Sequence, residues 1–309
     1  MKILFMGTPD FAVPSLQMLI DSTHALVGVV TQPDKPQGRK QILTPPPVKT
    51  LAQAHGIPVY QPDSLKDEAL MPLLQQTQPD LIVVVAYGKI LPKYVLEFPS
   101  MGCVNVHGSL LPRWRGAAPI QWSVIAGDRF AGVATMKMAE GLDTGDILLM
   151  ERTEIGARET AGELFDRLSH LGADVLRDTL PQLEAGKLVG TPQDDTQATY
   201  ASMLDKEMAV VDWSKSAHEI DCLIRGLNPW PVALTTLEGA RMKLFAAMPE
   251  QASGAAGTVL EADTKKGLLV ACGEGALRIM ELQMVGGKRM AAKDYLRGHQ
   301  IALGTKLGD

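Results

Sequence analysis

The chain has 309 residues, of which 46% are hydrophobic and 21% charged, and its formal net charge is -5. This length exceeds the size at which one hydrophobic core keeps growing, so we expect two domains. No apolar run approaches the roughly 18 residues that cross a bilayer, and the N-terminus lacks the basic and apolar pattern of a secretory signal. We therefore expect a cytoplasmic protein without a membrane partner, and we also expect it to be a monomer.

The negative net charge argues against a generic nucleic-acid binder, which normally carries a basic field to meet phosphate. Residues 205–309 hold 13 basic and 13 acidic side chains, so the whole acidic excess lies in residues 1–204. A polyanionic partner would therefore have to be held by discrete basic loops.

The three cysteines, Cys103, Cys222 and Cys272, are far apart and form no Cys-x-x-Cys pair. An odd, widely spaced set predicts neither a disulfide framework nor a structural zinc site. We expect buried, reduced thiols and no bound metal.

Residues 1–189 follow the pattern of an α/β domain with a parallel sheet. KILFMG, FAVPSLQMLI and ALVGVVT predict a strand, a helix and a strand near the N-terminus. DLIVVVA is a continuous apolar run, which predicts a strand covered on both faces. GCVNVH predicts the next strand, APIQWSVIAG a helix, and GVATMKM with GLDTGDILL a strand pair around a Gly-bounded loop.

Capping residues mark several helix starts. VKTLAQAH predicts one helix, and the pair Ser64 and Asp67 predicts the start of another. Thr160 and Glu163 form a capping box before a long amphipathic segment, which should lie across the sheet. The Pro-rich stretch from Pro33 to Lys49 predicts an exposed loop, because proline disfavours central strands and helix interiors.

The C-terminal part has a different pattern. Residues 190–204 are polar and aperiodic, so they predict a linker between one domain at 1–189 and another at 205–309. Ser216 and Glu219 predict a capped helix. Five short apolar runs follow between glycines, and short strands with regular turns predict a small β-barrel.

Asn105 and His107 end the predicted strand GCVNVH. Because side chains alternate along a strand, the two share one face, about 6.6 Å apart, while Val104 and Val106 share the other. An amide can donate to a developing oxyanion, and an imidazole can move a proton near neutral pH. A polar strand end before a glycine turn would give the same tripeptide without any chemistry. Asp143, in a Gly-rich loop, supplies a carboxylate that can fix the tautomer of the ring and favours an acyl-transfer site.

Ligands of open parallel sheets bind beyond the carboxyl ends of the strands, where GTPDFA, AYGKILP and SLLPRWRGAAP are also expected.

Two other enzyme classes fit the residues at this edge of the sheet less well. A nicotinamide-dependent oxidoreductase would need further glycines after Gly7, where Pro9 and Phe11 stand. A serine hydrolase acting through Ser109 would need a Gly-x-Ser-x-Gly elbow.

NVHGSLLPRWRGAAPI, followed by GLDTGD, resembles the folate-dependent formyltransferases. GTPDFA, TQPDKPQGRK, VVVAYGKILP and LNPWP narrow the resemblance to the members that act on methionyl-tRNA, and it extends to about Leu296. The resemblance implies a Rossmann-like parallel sheet followed by an OB-like barrel that contacts tRNA. It also implies 10-formyltetrahydrofolate as donor and the α-amine of methionine on initiator tRNA as acceptor.

The family pattern assigns formyl transfer to an Asn, a His and an Asp, which correspond here to Asn105, His107 and Asp143. Either His107 or a water held by Asp143 would take the proton of the attacking amine. The resemblance implies that the folate donor is held by Tyr87, Gly88, Ile90 and Leu91, by the loop of Asp143, and by Ser109, Leu110, Leu111 and Pro112. For Ile90 and Leu91, ordinary core packing at a strand end is an alternative interpretation.

The Pro-rich loop carries Lys35, Arg39, Lys40 and Lys49 against Asp34. A solvated charged loop is the plain interpretation of such a pattern. The resemblance implies instead that the loop enters the acceptor arm of the tRNA, with Lys35, Arg39 and Lys40 as contacts and Arg39 as the principal one.

Other basic residues allow two interpretations. Arg113 and Arg115 follow the active strand, where they could reach a phosphate or the glutamate tail of the donor, or form a structural clamp. The C-terminal domain has one visible basic cluster: Lys288, Arg289, Lys293 and Arg297.

Two alternative functions stay open. The first keeps the folate donor but uses a small amine acceptor such as an amino sugar nucleotide, although the basic loop and the barrel argue against it. The second is a non-catalytic RNA-binding protein that has the same fold.

Overall fold

The computed structural model describes residues 1–38 and 40–309. The chain forms two compact units that alternate along the sequence. Unit 1 comprises residues 1–119, 130–154 and 165–201, and unit 2 comprises residues 120–129, 155–164 and 202–309.

Strands and helices alternate through the first 201 residues. In chain order they are β1 (Lys2–Gly7), α1 (Val13–Ile20), β2 (Ala25–Val30), β3 (Lys35–Gln37), β4 (Ile42–Thr44), α2 (Pro47–Ala54), β5 (Val59–Tyr60), α3 (Met71–Thr77), β6 (Leu81–Val85), α4 (Lys93–Leu96), β7 (Cys103–His107), β8 (Arg115–Gly116), α5 (Pro119–Ile125), β9 (Phe130–Lys137), β10 (Ile147–Glu154), α6 (Ala161–Glu184) and β11 (Tyr200–Ala201).

Unit 1 is built around one sheet with the strand order β10-β9-β7-β6-β1-β2-β5. The five strands from β7 to β5 are mutually parallel. The pair β9 and β10 is antiparallel, and β9 also runs antiparallel to β7. The predicted α/β fold with a mainly parallel sheet is therefore confirmed. Because parallel strands point the same way, the carboxyl ends of β1, β2, β6 and β7 lie at one edge.

The strands in the middle of this sheet are buried on both faces. Every residue of β6 is buried, and so is every residue of β7, including its two polar members. Helix α6 covers one face: the hydroxyls of Thr135 on β9 and Thr179 on α6 are 2.8 Å apart. A Cβ at Gly172 of α6 would lie 3.0 Å from Val106 on β7. The prediction that the long helix lies across the sheet is confirmed.

The capping box at the start of α6 is also confirmed. The backbone N–H of Thr160 donates to the carboxylate of Glu163, and the N–H of Glu163 donates to the hydroxyl of Thr160. The two bonds satisfy donors that have no partner within the helix.

Two local predictions were wrong. The Pro-rich stretch is not a plain loop, because β3 and β4 form a hairpin in it and α2 begins at Pro47. The hairpin accommodates proline because the N–H groups on its outer sides have no partner strand. The start of α2 accommodates proline because the first turn of a helix makes no N–H bond within the helix. No helix begins at Ser64: Asp67 and Glu68 have φ of 53° and 54°, and α3 begins only at Met71.

Unit 2 contains an antiparallel β domain with the strand order β12-β13-β16-β15-β14. Near its C-terminus, Leu307 pairs with Leu237 on one edge strand, and Lys306 pairs with Thr258 beside the other. The predicted small β domain is confirmed, and its last residues bridge the two edges. In chain order its elements are α7 (Ala217–Gly226), β12 (Ala233–Leu237), β13 (Ala240–Glu250), β14 (Val259–Asp263), β15 (Gly267–Ala271), β16 (Ala276–Met284), β17 (Met290–Ala291) and α8 (Ala292–Gly298).

Helix α7 begins at the predicted capping box, where Ser216 and Glu219 exchange side-chain and backbone bonds. Its apolar stripe, which includes Ile220 and Ile224, is buried in the core of the β domain. The short elements β17 and α8 were not predicted from the sequence. Among the described residues, no helix combines the length and the apolar character needed to cross a membrane.

Candidate active site

Asn105 and His107 lie at the carboxyl end of β7, between β6 and β9. Because Val106 faces α6, the alternation of the strand places Asn105 and His107 on the opposite face of the sheet. Both side chains are buried, with 8% and 6% of their surface exposed. Within residues 1–38 and 40–309, the carboxamide of Asn105 has no hydrogen-bond partner in the protein. A buried amide of this kind is available to a bound ligand.

The ring of His107 is held by a backbone carbonyl. Its Nε2 lies 2.9 Å from the carbonyl oxygen of Trp114, a residue with φ of 61°. Since a carbonyl oxygen can only accept, Nε2 carries the hydrogen, and Nδ1 of the neutral ring is the basic nitrogen. The hydrogen bond that orients the ring is therefore made to Trp114.

The carboxylate of Asp143 lies on the other side of the ring, with Oδ2 3.8 Å from Nδ1 of His107. This distance is longer than a hydrogen bond but within the range of an ion pair with a protonated ring. Oδ2 also accepts the backbone N–H of Gly116 at 2.9 Å. Asp143 has φ of 54°, in the left-handed region that non-glycine residues adopt only when their surroundings hold them there. The structure thus brings Asn105, His107 and Asp143 to one edge of the sheet.

The loop that carries Trp114 is held by the polar segment after α6. The N–H of Trp114 donates to the hydroxyl of Thr199, and β8 pairs in parallel with β11. Residues 191–201 therefore pack within unit 1, although their composition is that of a linker. Composition gives no signal of this docking, because both bonding partners lie far away in the sequence.

The two arginines after the active strand have structural partners. Arg115 is buried, and its guanidinium donates to Gln193 and to the carboxylate of Asp195. The clamp interpretation therefore fits Arg115. The guanidinium of Arg113 stacks 4.4 Å from the ring centre of Trp114.

Tyr87 and Gly88 form the turn that follows β6. The carbonyl of Tyr87 accepts bonds from the side chains of Thr8 and Gln32, while its ring is fully buried. Burial raises the pKa of the Tyr87 phenol to about 12, so this group stays neutral. Gly88 has φ of 80°, and a Cβ there would lie 2.5 Å from the amide nitrogen of Gln32. Glycine is therefore favoured at this position, chiefly by its positive φ.

Two further predicted folate contacts, Ile90 and Leu91, follow this turn; one lies on the surface and the other in the core. Ile90 is 83% exposed, so the core-packing alternative does not hold for it. Leu91 is buried in the cluster that also contains Tyr87, so core packing accounts for its burial.

The segment after β7 is held close to the site. The hydroxyl of Ser109 donates to the carbonyl of Arg113 at 2.8 Å, so this hydroxyl is committed to the backbone and does not donate to His107. Leu110 packs over Gly132 of β9, and Leu111 is buried against Ala134 and Met136. Pro112 is half-buried.

The hairpin of β3 and β4 exposes two of the predicted tRNA contacts. Lys35 and Lys40 are exposed, and the ammonium of Lys35 donates to the side chain of Gln32. Arg39 lies outside the described residues. Lys49 is not a surface cation of this loop: it is paired with Asp34 at 2.8 Å and also donates to Gln61.

Two of the four residues in the basic cluster of unit 2 are paired with carboxylates. Arg289 pairs with Glu281, and Arg297 pairs with Asp294. In the described part of the chain, no three His, Cys, Asp or Glu side chains are grouped so that they could hold a metal ion.

Family models identify both parts of the chain. A model described as formyl transferase matches residues 1–180, and a model described as formyl transferase, C-terminal domain, matches residues 203–300. Methionyl-tRNA formyltransferase of Alkaliphilus oremlandii is 52% identical over 312 residues, which cover 100% of each chain. The protein of the same name from Ectopseudomonas mendocina is 52% identical over 310 residues, which cover 100% of this chain and 98% of the relative.

Solved structures share the fold at lower identity. An N-formyltransferase from Helicobacter canadensis, in complex with folinic acid and dTDP-3-aminofucose, has a TM-score of 0.69 at 15% identity, covering 94% of this chain and 100% of that chain. HypX from Aquifex aeolicus, in complex with tetrahydrofolic acid, has a TM-score of 0.61 at 16% identity and 98% coverage of this chain. The chain spans only 50% of the length of that HypX structure.

Methionyl-tRNA formyltransferase from Clostridium thermocellum has a TM-score of 0.54 at 19% identity, covering 80% of this chain and 93% of that chain. Identities this low establish the fold alone. The family rests on the two matching models, which together cover most of the chain, and on relatives that are about half identical over their full length. The chain belongs to the formyl transferase family.

Proposed function

We propose that this chain transfers the formyl group of 10-formyltetrahydrofolate to the free α-amine of methionine on initiator tRNA, and so supplies formylmethionyl-tRNA for translation initiation. The observation that carries the proposal is the meeting of Asn105, His107 and Asp143 at the carboxyl edge of the sheet. It occurs in a chain that is 52% identical over its full length to a methionyl-tRNA formyltransferase.

The first part of the mechanism is attack of the amine on the formyl carbon, which places negative charge on the formyl oxygen. The Asn105 carboxamide, which has no partner in the described protein, would donate to that oxygen. A preorganised donor of this kind contributes about 3 kcal/mol to transition-state stabilisation in other oxyanion sites.

The second part is proton transfer. The attacking nitrogen becomes cationic, and its proton passes to Nδ1 of His107, the only ring nitrogen that the Trp114 carbonyl leaves basic. Asp143, 3.8 Å away, stabilises the resulting imidazolium. As the new C–N bond forms, the bond between the formyl carbon and the nitrogen of the donor breaks. That nitrogen takes a proton from the protonated ring, so the ring ends the cycle neutral.

Donor and tRNA are assigned to separate segments. The turn Tyr87–Leu91 and the segment Ser109–Pro112 flank the strand end that carries His107, and we assign the folate-type donor to them. The tRNA acceptor arm is assigned to the β3–β4 hairpin through Lys35, Arg39 and Lys40. Residues 1–189 would carry the chemistry, 190–204 would connect the domains, and 205–309 would contact the tRNA.

A small amine acceptor is the less favoured alternative. Its support comes from the Helicobacter canadensis structure with dTDP-3-aminofucose, which is only 15% identical to this chain. The deciding experiment offers 10-formyltetrahydrofolate with methionylated initiator tRNA or with a nucleotide-linked amino sugar. Formylation of the tRNA alone supports the proposal. Formylation of the sugar alone would show that the acceptor is a small amine and not the tRNA. The absence of turnover with either acceptor would favour the third hypothesis, a non-catalytic RNA-binding protein.

A further inference from the structure

We propose that Gln193 is a positioning residue of the formyl-transfer site, where its carboxamide fixes the loop of Asp143. The inference rests on the proposed function, since it assigns Gln193 to the site of that reaction. Gln193 lies in the polar segment 190–204, whose sequence shows no sign of a role in catalysis.

The carboxamide of Gln193 makes four hydrogen bonds. Its Nε2 donates to the backbone carbonyls of Asp143 at 2.9 Å and Gly145 at 2.7 Å. Its Oε1 accepts from Nε and Nη2 of Arg115 at 3.0 Å and 2.9 Å. An amide has two N–H donors and two acceptor lone pairs, so the whole bonding capacity of this side chain is used.

The chemistry of the partners fixes the orientation of the amide. A guanidinium has only donors, so the oxygen of Gln193 must face Arg115, and carbonyl oxygens only accept, so the NH2 group must face Asp143 and Gly145. No other side chain of similar size can meet both demands. Glutamate would keep the bonds to Arg115 but place a carboxylate oxygen against two carbonyl oxygens.

These bonds control the catalytic carboxylate through its backbone. Asp143 has φ of 54°, a conformation that its surroundings must maintain. Gln193 holds its carbonyl, while the N–H of Gly116, next to Arg115 in the chain, holds its carboxylate. The same carboxamide therefore ties together the two loops that place Oδ2 of Asp143 near Nδ1 of His107.

Arg115 supports the arrangement from the other side. It is buried, and its Nη2 also donates to Asp195 at 2.8 Å, a second residue of the same segment. Loss of the Gln193 oxygen would leave a buried guanidinium with fewer acceptors, which is costly. The loop of Gly116 would then lose one of its supports, while its bonds to Thr199 and to β11 remain.

The test compares Gln193→Glu and Gln193→Ala with Gln197→Ala, a matched control in the same segment. Gln197 is exposed, and within the described part of the chain its side chain bonds only to Asp194. Both Gln193 variants should lower the formylation rate about 10- to 100-fold while the KM for each substrate changes less than about twofold, because misplacement of a reacting group by about 1 Å has effects of this size. The control should match the wild type.

The decisive readout is the rate of a single turnover at saturating enzyme, which does not depend on the fraction of folded protein. Gln193→Glu is measured in the wild type and in an Asp143→Asn background. If Gln193 acts through Asp143, its effect should shrink to less than about threefold in that background. An equal loss in both backgrounds, or a wild-type rate in the Gln193→Glu variant, would overturn the proposal.

The same assay separates this proposal from the proposed function. A wild-type protein that formylates no acceptor would overturn the proposed function and the role of Gln193 with it. A fully active wild type with a fully active Gln193→Glu variant would overturn the role of Gln193 alone.

Discussion

Nε2 of His107 lies 2.9 Å from the carbonyl oxygen of Trp114, and this single contact decides which ring nitrogen is basic. The hydrogen sits on Nε2, so Nδ1 is the atom that can accept a proton, on the side of the ring where the Asp143 carboxylate lies 3.8 Å away. An Asn-x-His tripeptide in a sequence gives no indication of this choice, since the carbonyl belongs to Trp114, a residue of the following loop with φ of 61°.

Replacing His107 should remove the proton acceptor. We expect His107→Gln to lower kcat by roughly 10²- to 10⁴-fold, the range of general acid–base catalysis, with little change in KM. Steady-state kinetics at one fixed pH measure both parameters. His218→Ala is the control, because His218 lies on the exposed first turn of α7; equal losses in the two variants would contradict the assignment.

Asn105→Ala should remove the oxyanion donor and leave the imidazole in place. The expected loss in kcat is about 10²- to 10³-fold, as for other oxyanion donors. Asn105→Asp should be at least as damaging, because a carboxylate opposes the developing negative charge. Rapid-quench measurement of formyl transfer gives the rates directly. An Asn105→Ala enzyme within twofold of the wild type would remove Asn105 from the mechanism.

Lys35→Ala and Lys40→Ala should weaken tRNA binding without affecting stability, since both side chains are exposed. The plot of log K against log salt has a negative slope, and each lost phosphate contact should make it shallower by roughly 0.7–0.9. Filter binding of initiator tRNA at several salt concentrations measures that slope. Unchanged slopes in both variants would mean that the hairpin does not contact phosphate.

Lys49→Met should behave differently, because Lys49 pairs with Asp34. We expect a lower Tm and an unchanged salt slope. Hydrogen bonds from Gln61 and Lys49 hold the pKa of Asp34 below its ordinary value. A lowered carboxyl pKa stabilises the fold above about pH 4, and this contribution is lost as the pH falls through the folded-state pKa. The difference in Tm between variant and wild type should therefore shrink in acid, and a constant difference would refute the pairing.

Gly145→Ala should distort the loop of Asp143. A Cβ at Gly145 would lie 1.8 Å from the backbone carbonyl oxygen of Lys137, so the backbone must move. We expect a loss of about 1–3 kcal/mol in stability, typical of overpacking. Activity should fall together with stability. Gly298→Ala is the control, because a Cβ there meets nothing within 4 Å. Thermal unfolding compares the stability of the two variants with the wild type, and steady-state kinetics compare their activity.

The three cysteines are free and buried, and their thiols should be unreactive in the native protein. Burial raises the pKa of Cys103 to about 12 and that of Cys272 to about 11, and it also raises the pKa of Cys222. A raised pKa means less thiolate: at pH 8 a thiol of pKa 12 is ionised to only about one part in 10⁴. A disulfide reagent at pH 8 should titrate the thiols slowly in buffer and rapidly in denaturant. Rapid labelling in buffer would show that burial does not protect them.

Local pattern was sufficient for most of the architecture. The apolar run of β6, the alternation of β7 and the capping boxes at Thr160 and Ser216 each depend on residues that are close in the sequence, so each could be predicted. The same reasoning failed at Ser64, where Asp67 and Glu68 take left-handed conformations that a capping pattern does not encode. It also missed Gln193, whose partners Asp143 and Arg115 are 50 and 78 residues away.

By itself, the sequence determined which chemical groups are available: a carboxamide and an imidazole on one face of a strand, a carboxylate in a glycine-rich loop, and a basic, proline-rich stretch. Only the tertiary structure decided that Trp114 sets the tautomer, that Arg115 and Lys49 are held by structural partners, and that the polar segment after α6 reaches the loop of Asp143. Side-chain alternation and capping depend on neighbouring residues, whereas these hydrogen bonds exist only once loops distant in the chain have packed together.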